Sequence, residues 1–167
     1  MAKKKSKGLD LGKILSFVAI VLGVVAVVMM FVSTVKTPDV EAFGKTVEGE
    51  GVSGLKVAFG YSENDVAQLS FSFMALLPYL LALVGVVLTA LNTFGKKGSK
   101  LFDFVSIGAF IVAGVLFFLM PSFMVFADNL AGAILEAIEW ELAIGAIVSA
   151  ICSVVAGVAV LVKALKK

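Results

Sequence analysis

Four long apolar runs constrain the fold of this chain more than any other feature of its sequence. A helix needs roughly 20 consecutive apolar residues to cross the hydrocarbon core of a bilayer. Four runs of that length occur, and Asp103 is the only charged residue inside them. They predict membrane-spanning helices at residues 14–35, 71–91, 101–120 and 142–162, with outer loops at residues 36–70 and 121–141. We therefore expect a single all-α membrane domain over residues 1–167, a bundle of four transmembrane helices.

Composition supports a membrane location. Apolar residues make up 60% of the chain and charged residues 16%, whereas soluble domains average about 45–50% and 25%. A soluble domain of about 150 residues leaves roughly 30% of its unfolded surface exposed to water. Such a domain could not hide so much apolar side chain, and we expect the lipid bilayer to cover it.

The residue types that the chain lacks exclude most enzyme chemistry. It has no His and no Arg, and its single cysteine is Cys152. Histidine is the usual proton carrier near neutral pH and the commonest metal ligand, and arginine is the usual clamp for phosphate groups. Quinone-coupled disulfide formation and lipid phosphatase activity based on Arg and His are therefore excluded. The acids of the outer loops lack the close spacing of a calcium-binding loop. We expect no catalytic site, cofactor, metal or small-molecule substrate.

The lysines predict the orientation of the spans, because Lys residues near span ends stay on the cytoplasmic side. The terminal segments and loop 92–100 hold eleven Lys and, with Asp103, two acids, whereas the outer loops hold three Lys and ten acids. Both termini are therefore expected in the cytoplasm, with the chain in the plasma (cytoplasmic) membrane.

The first run has 22 residues and no Ala-x-Ala site after it. We therefore expect a retained span rather than a cleaved signal peptide. Nucleic-acid binding is not expected, because the basic surface is small and has no Arg.

The first outer loop has the alternating pattern of a β-strand. Its apolar side chains recur at every second position, at Leu55, Val57, Phe59 and Tyr61, which is the period of a half-buried strand. A weaker strand candidate covers residues 42–47, and the glycine-rich residues 48–51 can form the turn between them. We expect a small extracellular β-hairpin between the first and second spans, with these four apolar side chains as its interaction surface.

The segment after the predicted hairpin resembles a helix start. Ser62 can cap a helix, and the acids Glu63 and Asp65 suit a helix N-terminus. The second helix is therefore expected to begin near Glu63, above the membrane. Pro78 should kink it, because proline removes one backbone hydrogen bond and clashes with the preceding turn.

The second outer loop allows two interpretations. Asp128 and Asn129 can cap a helix, and an apolar stripe follows at Leu130, Ile134, Ile138 and Leu142. This segment is either a short helix in the membrane interface or the beginning of the fourth helix, projecting outward. We favour the second interpretation, because no Gly or Pro interrupts the run after Gly132.

The fourth run carries small residues at intervals of four, at Gly145, Ser149, Ser153 and Gly157. Small residues let helices approach each other closely in lipid. We expect this face to make helix contacts, either within the bundle or with a second copy of the chain.

Transport by the chain alone is not expected, because ion and proton pathways usually contain charged residues inside the membrane. Asp103 falls in the first turn of the third run, where a helix start at the membrane boundary would place it.

The layout resembles that of claudin-type tetraspan proteins, which have four spans and a larger first outer loop with strand character. Of the claudin Trp-x-x-Gly-Leu-Trp motif, only Gly54 and Leu55 are present, Lys56 stands where the last Trp belongs, and the loop has no Cys. The roles of the claudin loops therefore do not carry over. A stronger similarity, to small uncharacterised four-span proteins of Gram-positive bacteria, implies location and topology and no activity.

These observations favour a non-enzymatic tetraspan membrane protein that acts in interaction or assembly. It would use its outer loops and its small-residue helix faces. Its partners would be the lipid bilayer and either a second copy of the chain or another membrane protein. One alternative is an accessory subunit of a transporter or channel, which contributes packing rather than ligands. Another is an immunity or stress protein that shields the membrane, which the sequence neither supports nor opposes.

Overall fold

The computed structural model describes residues 10–42, 44–95 and 99–166. The first part of this region contains α1 (Leu11–Val28), β1 (Ser33–Lys36), β2 (Val40–Ala42), β3 (Lys45–Val47), β4 (Gly51–Ser53), α2 (Gly54–Phe59), β5 (Tyr61–Glu63) and β6 (Val66–Leu69). The second part contains α3 (Phe73–Phe94), α4 (Lys100–Phe118), α5 (Leu130–Glu136), β7 (Glu141–Leu142) and α6 (Ile144–Leu165). Short 3-10 turns follow α1 and α4.

Four helices within the described residues are long and apolar enough to cross a membrane: α1, α3, α4 and α6. This confirms four long apolar helices at the predicted runs, although their ends differ. The first was predicted to reach residue 35, but helical structure ends at Phe31 and Ser33–Lys36 is a strand. Val35 is buried there, paired with Val52 on one side and Leu142 on the other. Strand pairing therefore competes successfully with the helix at the end of this apolar run.

The four long helices form a bundle in which each contacts two neighbours most extensively. α1 packs against α3 and α6, and α4 packs against the same two helices. Successive spans run in opposite directions, so every neighbouring pair is antiparallel. One end of the bundle, here called the terminal end, holds the start of α1, the end of α3, the start of α4 and the end of α6. The other end carries the seven strands of the described residues and is here called the cap.

The aromatic ring of Phe110 lies at the centre of the bundle and is fully buried. A Cβ atom built on Gly23 of α1 would lie 2.8 Å from this ring, and one built on Gly85 of α3 would lie 2.9 Å from it. On α6, a Cβ at Gly157 would lie 3.3 Å from the Cβ of Phe110. Three glycines on three helices therefore make room for one large side chain of the fourth.

The cap contains a three-stranded antiparallel sheet in the order β4–β1–β7 and two separate hairpins, β2–β3 and β5–β6. The sheet joins the segment after α1 to the segment before α6. Thr34 of its central strand is buried, and its carbonyl oxygen accepts a hydrogen bond of 2.9 Å from the N–H of Ala143. A β-hairpin between the first two long helices was predicted and is present, but its strands are β2 and β3. The expected single strand over residues 42–47 is thus divided between the two, and residues 55–61 take no part in this hairpin.

The predicted strand at residues 55–61 is wrong: residues Gly54–Phe59 form the short helix α2. Ser53 caps its first turn through a hydrogen bond from the N–H of Lys56. Gly60 ends it with a φ of +77°, and a Cβ there would lie 2.5 Å from the carbonyl oxygen of Leu69. A period-2 apolar pattern over so few residues is also compatible with one and a half helical turns. The hydrogen bond to Ser53 at the start of the segment and the conformation of Gly60 at its end favour the helix.

The predicted helix start at residues 62–65 is also wrong. Ser62 and Glu63 belong to β5, and Asn64 and Asp65 form the turn of the β5–β6 hairpin, with φ angles of 50° and 63°. Two successive positive φ angles are typical of a tight hairpin turn, for which Asn and Asp are suited. Helix α3 instead begins at Phe73, where the hydroxyl of Ser72 accepts a hydrogen bond from the N–H of Ala75. Pro78 lies inside α3, as predicted.

In the second outer loop, the favoured interpretation is wrong and the short helix is present. Asn129 caps α5 through a hydrogen bond of 2.8 Å from the N–H of Gly132. The indole N–H of Trp140 donates to the carbonyl oxygen of Leu135 at 2.9 Å, which folds the chain back after α5. Glu141–Leu142 then pairs with β1, so α6 begins at Ile144 and does not extend outward.

Gly23→Ala should destabilise the bundle, because the new methyl group would lie 2.4 Å from Val86 Cγ2 as well as close to Phe110. The ring of Phe110 is fully buried, and it is closely approached by Gly85 of α3 as well. We expect the free energy of unfolding in detergent to fall by about 1–3 kcal/mol. The matched control is Gly108→Ala on α4, where nothing lies within 4 Å of the new methyl group. Equal unfolding free energies for the two variants would contradict the packing described for Phe110.

Candidate functional site

The β2–β3 hairpin projects from the cap and carries exposed apolar side chains. Val40 and Val47 are directly opposite each other in its ladder. They are 60% and 58% exposed. Gly44, with a φ of +73°, lies in the turn. Exposed valines scattered singly need no explanation, but a cross-strand pair on a projecting hairpin forms a small continuous apolar surface.

The base of this hairpin is fixed by hydrogen bonds. The carboxylate of Asp39 accepts one hydrogen bond from Lys36 Nζ at 3.0 Å and another from the N–H of Gly49 at 2.8 Å. Thr37 and Glu50 exchange two more: the N–H of Thr37 donates to the carbonyl oxygen of Glu50, and Thr37 Oγ1 accepts from the N–H of Glu50. These bonds join both ends of the hairpin to the three-stranded sheet, so the arm has a defined direction.

The charges at the hairpin base perturb each other. The hydrogen bond from the N–H of Gly49 and the one from Lys36 both hold the pKa of Asp39 below its usual range. Conversely, the hydrogen bond to Asp39 raises the pKa of Lys36, and its attraction to Glu141, 4.0 Å away, adds to this effect. Both groups therefore remain charged around neutral pH and the base stays closed there.

The structure separates the four residues of the predicted outer surface, Leu55, Val57, Phe59 and Tyr61. Three of them belong to α2, and Val57 is completely buried beneath it. Leu55 and Phe59 are exposed, and the ring of Phe59 contacts that of Phe71 at a centroid distance of 6.2 Å. Tyr61 begins β5, where Lys56 Nζ lies 4.7 Å from its ring centroid. These side chains do not share one continuous face.

The structure places the four small residues of α6, namely Gly145, Ser149, Ser153 and Gly157, inside the bundle. A Cβ at Gly145 would lie 2.6 Å from the carbonyl oxygen of Ser33. Ser149 Oγ donates a hydrogen bond of 3.0 Å to the carbonyl oxygen of Ala26 on α1. Because this face is covered by the chain's own helices, it is not available to a second copy in this fold.

Sequence reasoning missed a buried ion pair at the terminal end. Lys163 Nζ of α6 lies 3.0 Å from Asp103 Oδ1 of α4, with the two side chains 6% and 0% exposed. Asn92 of α3 donates from Nδ2 to the same carboxylate oxygen and accepts from the N–H of Ser99. The ion pair and Asn92 together thus join three helices. The apolar residues around Lys163 indicate that this lysine could be buried. A single sequence, however, does not show that it pairs with a residue 60 positions away.

Lys163→Met should strongly destabilise the fold, because it leaves the carboxylate of Asp103 buried without its ammonium partner. Breaking one half of a buried pair typically costs about 3–5 kcal/mol. In the double variant Lys163→Met/Asp103→Asn, a neutral amide can still accept from Asn92, and we expect at least half of this loss to be recovered. Reversible unfolding in mixed micelles measures both values. A single variant as stable as the wild type would contradict the role of the pair.

The hairpin base should open only at strongly acidic pH. Because the pKa of Asp39 is lowered, the closed base is retained above the ordinary Asp pKa of about 3.9 and is lost as the pH falls through the lowered value. The amide chemical shift of Gly49, followed by NMR, should therefore stay constant from neutral pH to about 4 and change below that. Asp39→Ala should abolish the transition. A transition centred above about pH 5 would contradict the assignment.

No metal-binding cluster is present in the described part of the chain. Residues 10–42, 44–95 and 99–166 contain no group of three acids or cysteines placed to hold a metal ion. Cys152 is a free, partly buried thiol. No protein-family profile, no curated protein and no solved structure matches this chain, so a functional assignment rests on its geometry alone.

Proposed function

We propose that this chain is a non-enzymatic integral membrane protein that acts in interaction or assembly, with the β2–β3 hairpin as its docking element. The observation that carries the proposal is the exposed Val40–Val47 pair on a hairpin whose base is fixed by Asp39. An arm with a defined direction loses little conformational entropy when it binds, and burying its two valines would supply the affinity.

The surface of the bundle supports the membrane part of the proposal. The outward faces of all four long helices carry large apolar side chains, including Phe17, Leu83, Phe104 and Ile151, each at least 47% exposed. In water these faces would form apolar patches far larger than monomeric proteins usually tolerate. Lipid is the medium in which such a surface is stable.

The lysine distribution supports the orientation. The segments at the terminal end carry eleven Lys and two acids, and the cap segments carry three Lys and ten acids. By the positive-inside rule, the termini lie in the cytoplasm of a plasma (cytoplasmic) membrane and the cap faces outward. The hairpin then meets partners outside the cell or on neighbouring membrane proteins.

A second candidate function is an accessory subunit of a transporter or channel. Gly108 supports it: this glycine lies on the lipid-facing side of α4, and among the glycines of the four described long helices it alone has open space around its Cα. A small residue on a lipid-facing surface lets a helix of another protein approach closely. In this case contact would occur within the membrane and the hairpin would be secondary.

The double variant Val40→Ser/Val47→Ser should release the partner without affecting the fold. Full burial of each valine side chain contributes about 1.5 kcal/mol to the free energy of binding. We therefore expect the affinity for the partner to fall at least tenfold. Affinity purification from the native membrane in mild detergent, with mass spectrometry and light scattering, identifies the partner and gives the mass of the complex. The recovered amount of partner and the melting temperature are then compared between variants.

The matched control is Val66→Ser/Val125→Ser, which removes two half-exposed valines elsewhere in the cap. It should leave the amount of recovered partner unchanged. Undiminished recovery with Val40→Ser/Val47→Ser would contradict docking by the hairpin. If the same complex were lost with Gly108→Leu, the accessory-subunit alternative would be favoured instead.

A further inference from the structure

A pocket of about 490 Å³ opens at the terminal end of the bundle between α1, α3 and α6. Its size falls within the range of small-ligand pockets, about 300–1,000 Å³. Three ammonium groups line it, those of Lys13, Lys163 and Lys166, together with one acid, Asp10. It lies at the opposite end of the molecule from the hairpin, so its interpretation rests on the membrane location in the proposed function and not on docking by the hairpin.

The polar groups of this pocket other than lysine are already used within the protein. The carboxylate of Asp10 caps α1 by accepting from the N–H of Gly12. The hydroxyl of Ser16 donates to the carbonyl oxygen of Gly12, and that of Thr93 donates to the carbonyl oxygen of Thr89. Asn92 is engaged by Asp103 and Ser99, as described above. The lining therefore offers a ligand chiefly its ammonium groups.

Lys163 forms the inner wall of the pocket and has donors to spare. An ammonium carries three N–H groups, and this one is almost completely buried beside Asp103. Among the described residues, Nζ has no hydrogen-bond acceptor in suitable geometry, although the ion pair holds it at 3.0 Å from the carboxylate. Buried donors require acceptors. Oxygen atoms of a ligand in the adjoining pocket could supply them.

Lys13 and Lys166 stand at the mouth of the pocket. Both are exposed, and neither forms an ion pair within residues 10–42, 44–95 and 99–166. Since Asp103 neutralises Lys163 and only Asp10 opposes the two outer lysines, the pocket has a surplus of positive charge. Its ligand should therefore be an anion with several oxygen atoms, and a phosphate group has this chemistry.

The position of the pocket identifies the source of the phosphate. The four apolar helices end at this level, so in a bilayer the pocket lies at the depth of the lipid headgroups. Lysines near an anionic membrane surface are attracted to it individually. We propose that this pocket binds the phosphate-bearing headgroup of an anionic phospholipid, with Lys13 and Lys166 at its mouth and Lys163 at its inner wall.

The test is lipid retention by the full chain, measured by native mass spectrometry after mixing with dioleoyl phosphatidylglycerol or dioleoyl phosphatidylcholine in detergent. The wild type should retain the anionic lipid and not the zwitterionic one. Lys13→Gln/Lys166→Gln should weaken retention of phosphatidylglycerol about thirtyfold, roughly fivefold for each lysine removed. Both side chains are exposed, so unfolding is not expected, and an unchanged melting temperature verifies this.

The control is Lys45→Gln/Lys56→Gln, which removes the same charge from the cap and should leave retention unchanged. An equal loss of phosphatidylglycerol retention in both double variants would show a general charge effect and would contradict headgroup binding in the pocket. Equal retention by the wild type and Lys13→Gln/Lys166→Gln would overturn it as well. Competition by millimolar glycerol 3-phosphate or inorganic phosphate, with the same dependence on the two lysines, would assign the pocket to a soluble phosphate compound and overturn the lipid assignment.

Discussion

The close approach of four helices around Phe110 is the constraint on which the rest of the structure depends. Gly23 and Gly85 leave space for the ring from two sides, and Gly157 lets α6 approach its backbone. In lipid, apolar surface alone does not drive helices together, so contact of this kind has to supply the association. The spacing of α1 and α6 that results brings the segments after α1 and before α6 close enough to share a sheet. The sheet of the cap thus joins the same two helices, α1 and α6, that pack against each other in the bundle.

The bundle is held differently at its two ends. At the cap, backbone hydrogen bonds of β1 to β4 and β7 join the ends of α1 and α6. At the terminal end, the charged side chains of Asp103 and Lys163, with Asn92, join α3, α4 and α6. Charges this deep are stable only as a pair. Any opening of one end of the bundle has to break a sheet, and any opening of the other has to break a buried ion pair.

The existence and approximate positions of the four long helices could be predicted because an apolar run of about 20 residues is long enough for a helix that crosses a membrane. Their ends, and the structure of the cap, depended on partners distant in sequence. Residues 33–35 leave the first helix because strands at residues 51–53 and 141–142 pair with them. The alternation at Leu55, Val57 and Phe59 predicted a strand, since neither the hydrogen bond that Ser53 accepts at the start of α2 nor the conformation of Gly60 is visible in a hydrophobic period.

The candidate sites depend on tertiary structure. The exposure of Val40 and the pairing of Lys163 with Asp103 cannot be read from the pattern of apolar and charged residues along the sequence.

The position of β1 between β4 and β7 has a consequence for the order of synthesis. Val35 leaves the ribosome more than 100 residues before its partner Leu142, and α6, which completes the bundle, is the last of the described helices to emerge. Until then one edge of β1 is open, and the carbonyl oxygen of Ala26 lacks the hydroxyl of Ser149 that it later contacts. An open strand edge is prone to pairing with other chains. The nascent chain therefore exposes a strand edge and an unpaired backbone carbonyl that only the last of the described helices and the segment before it cover.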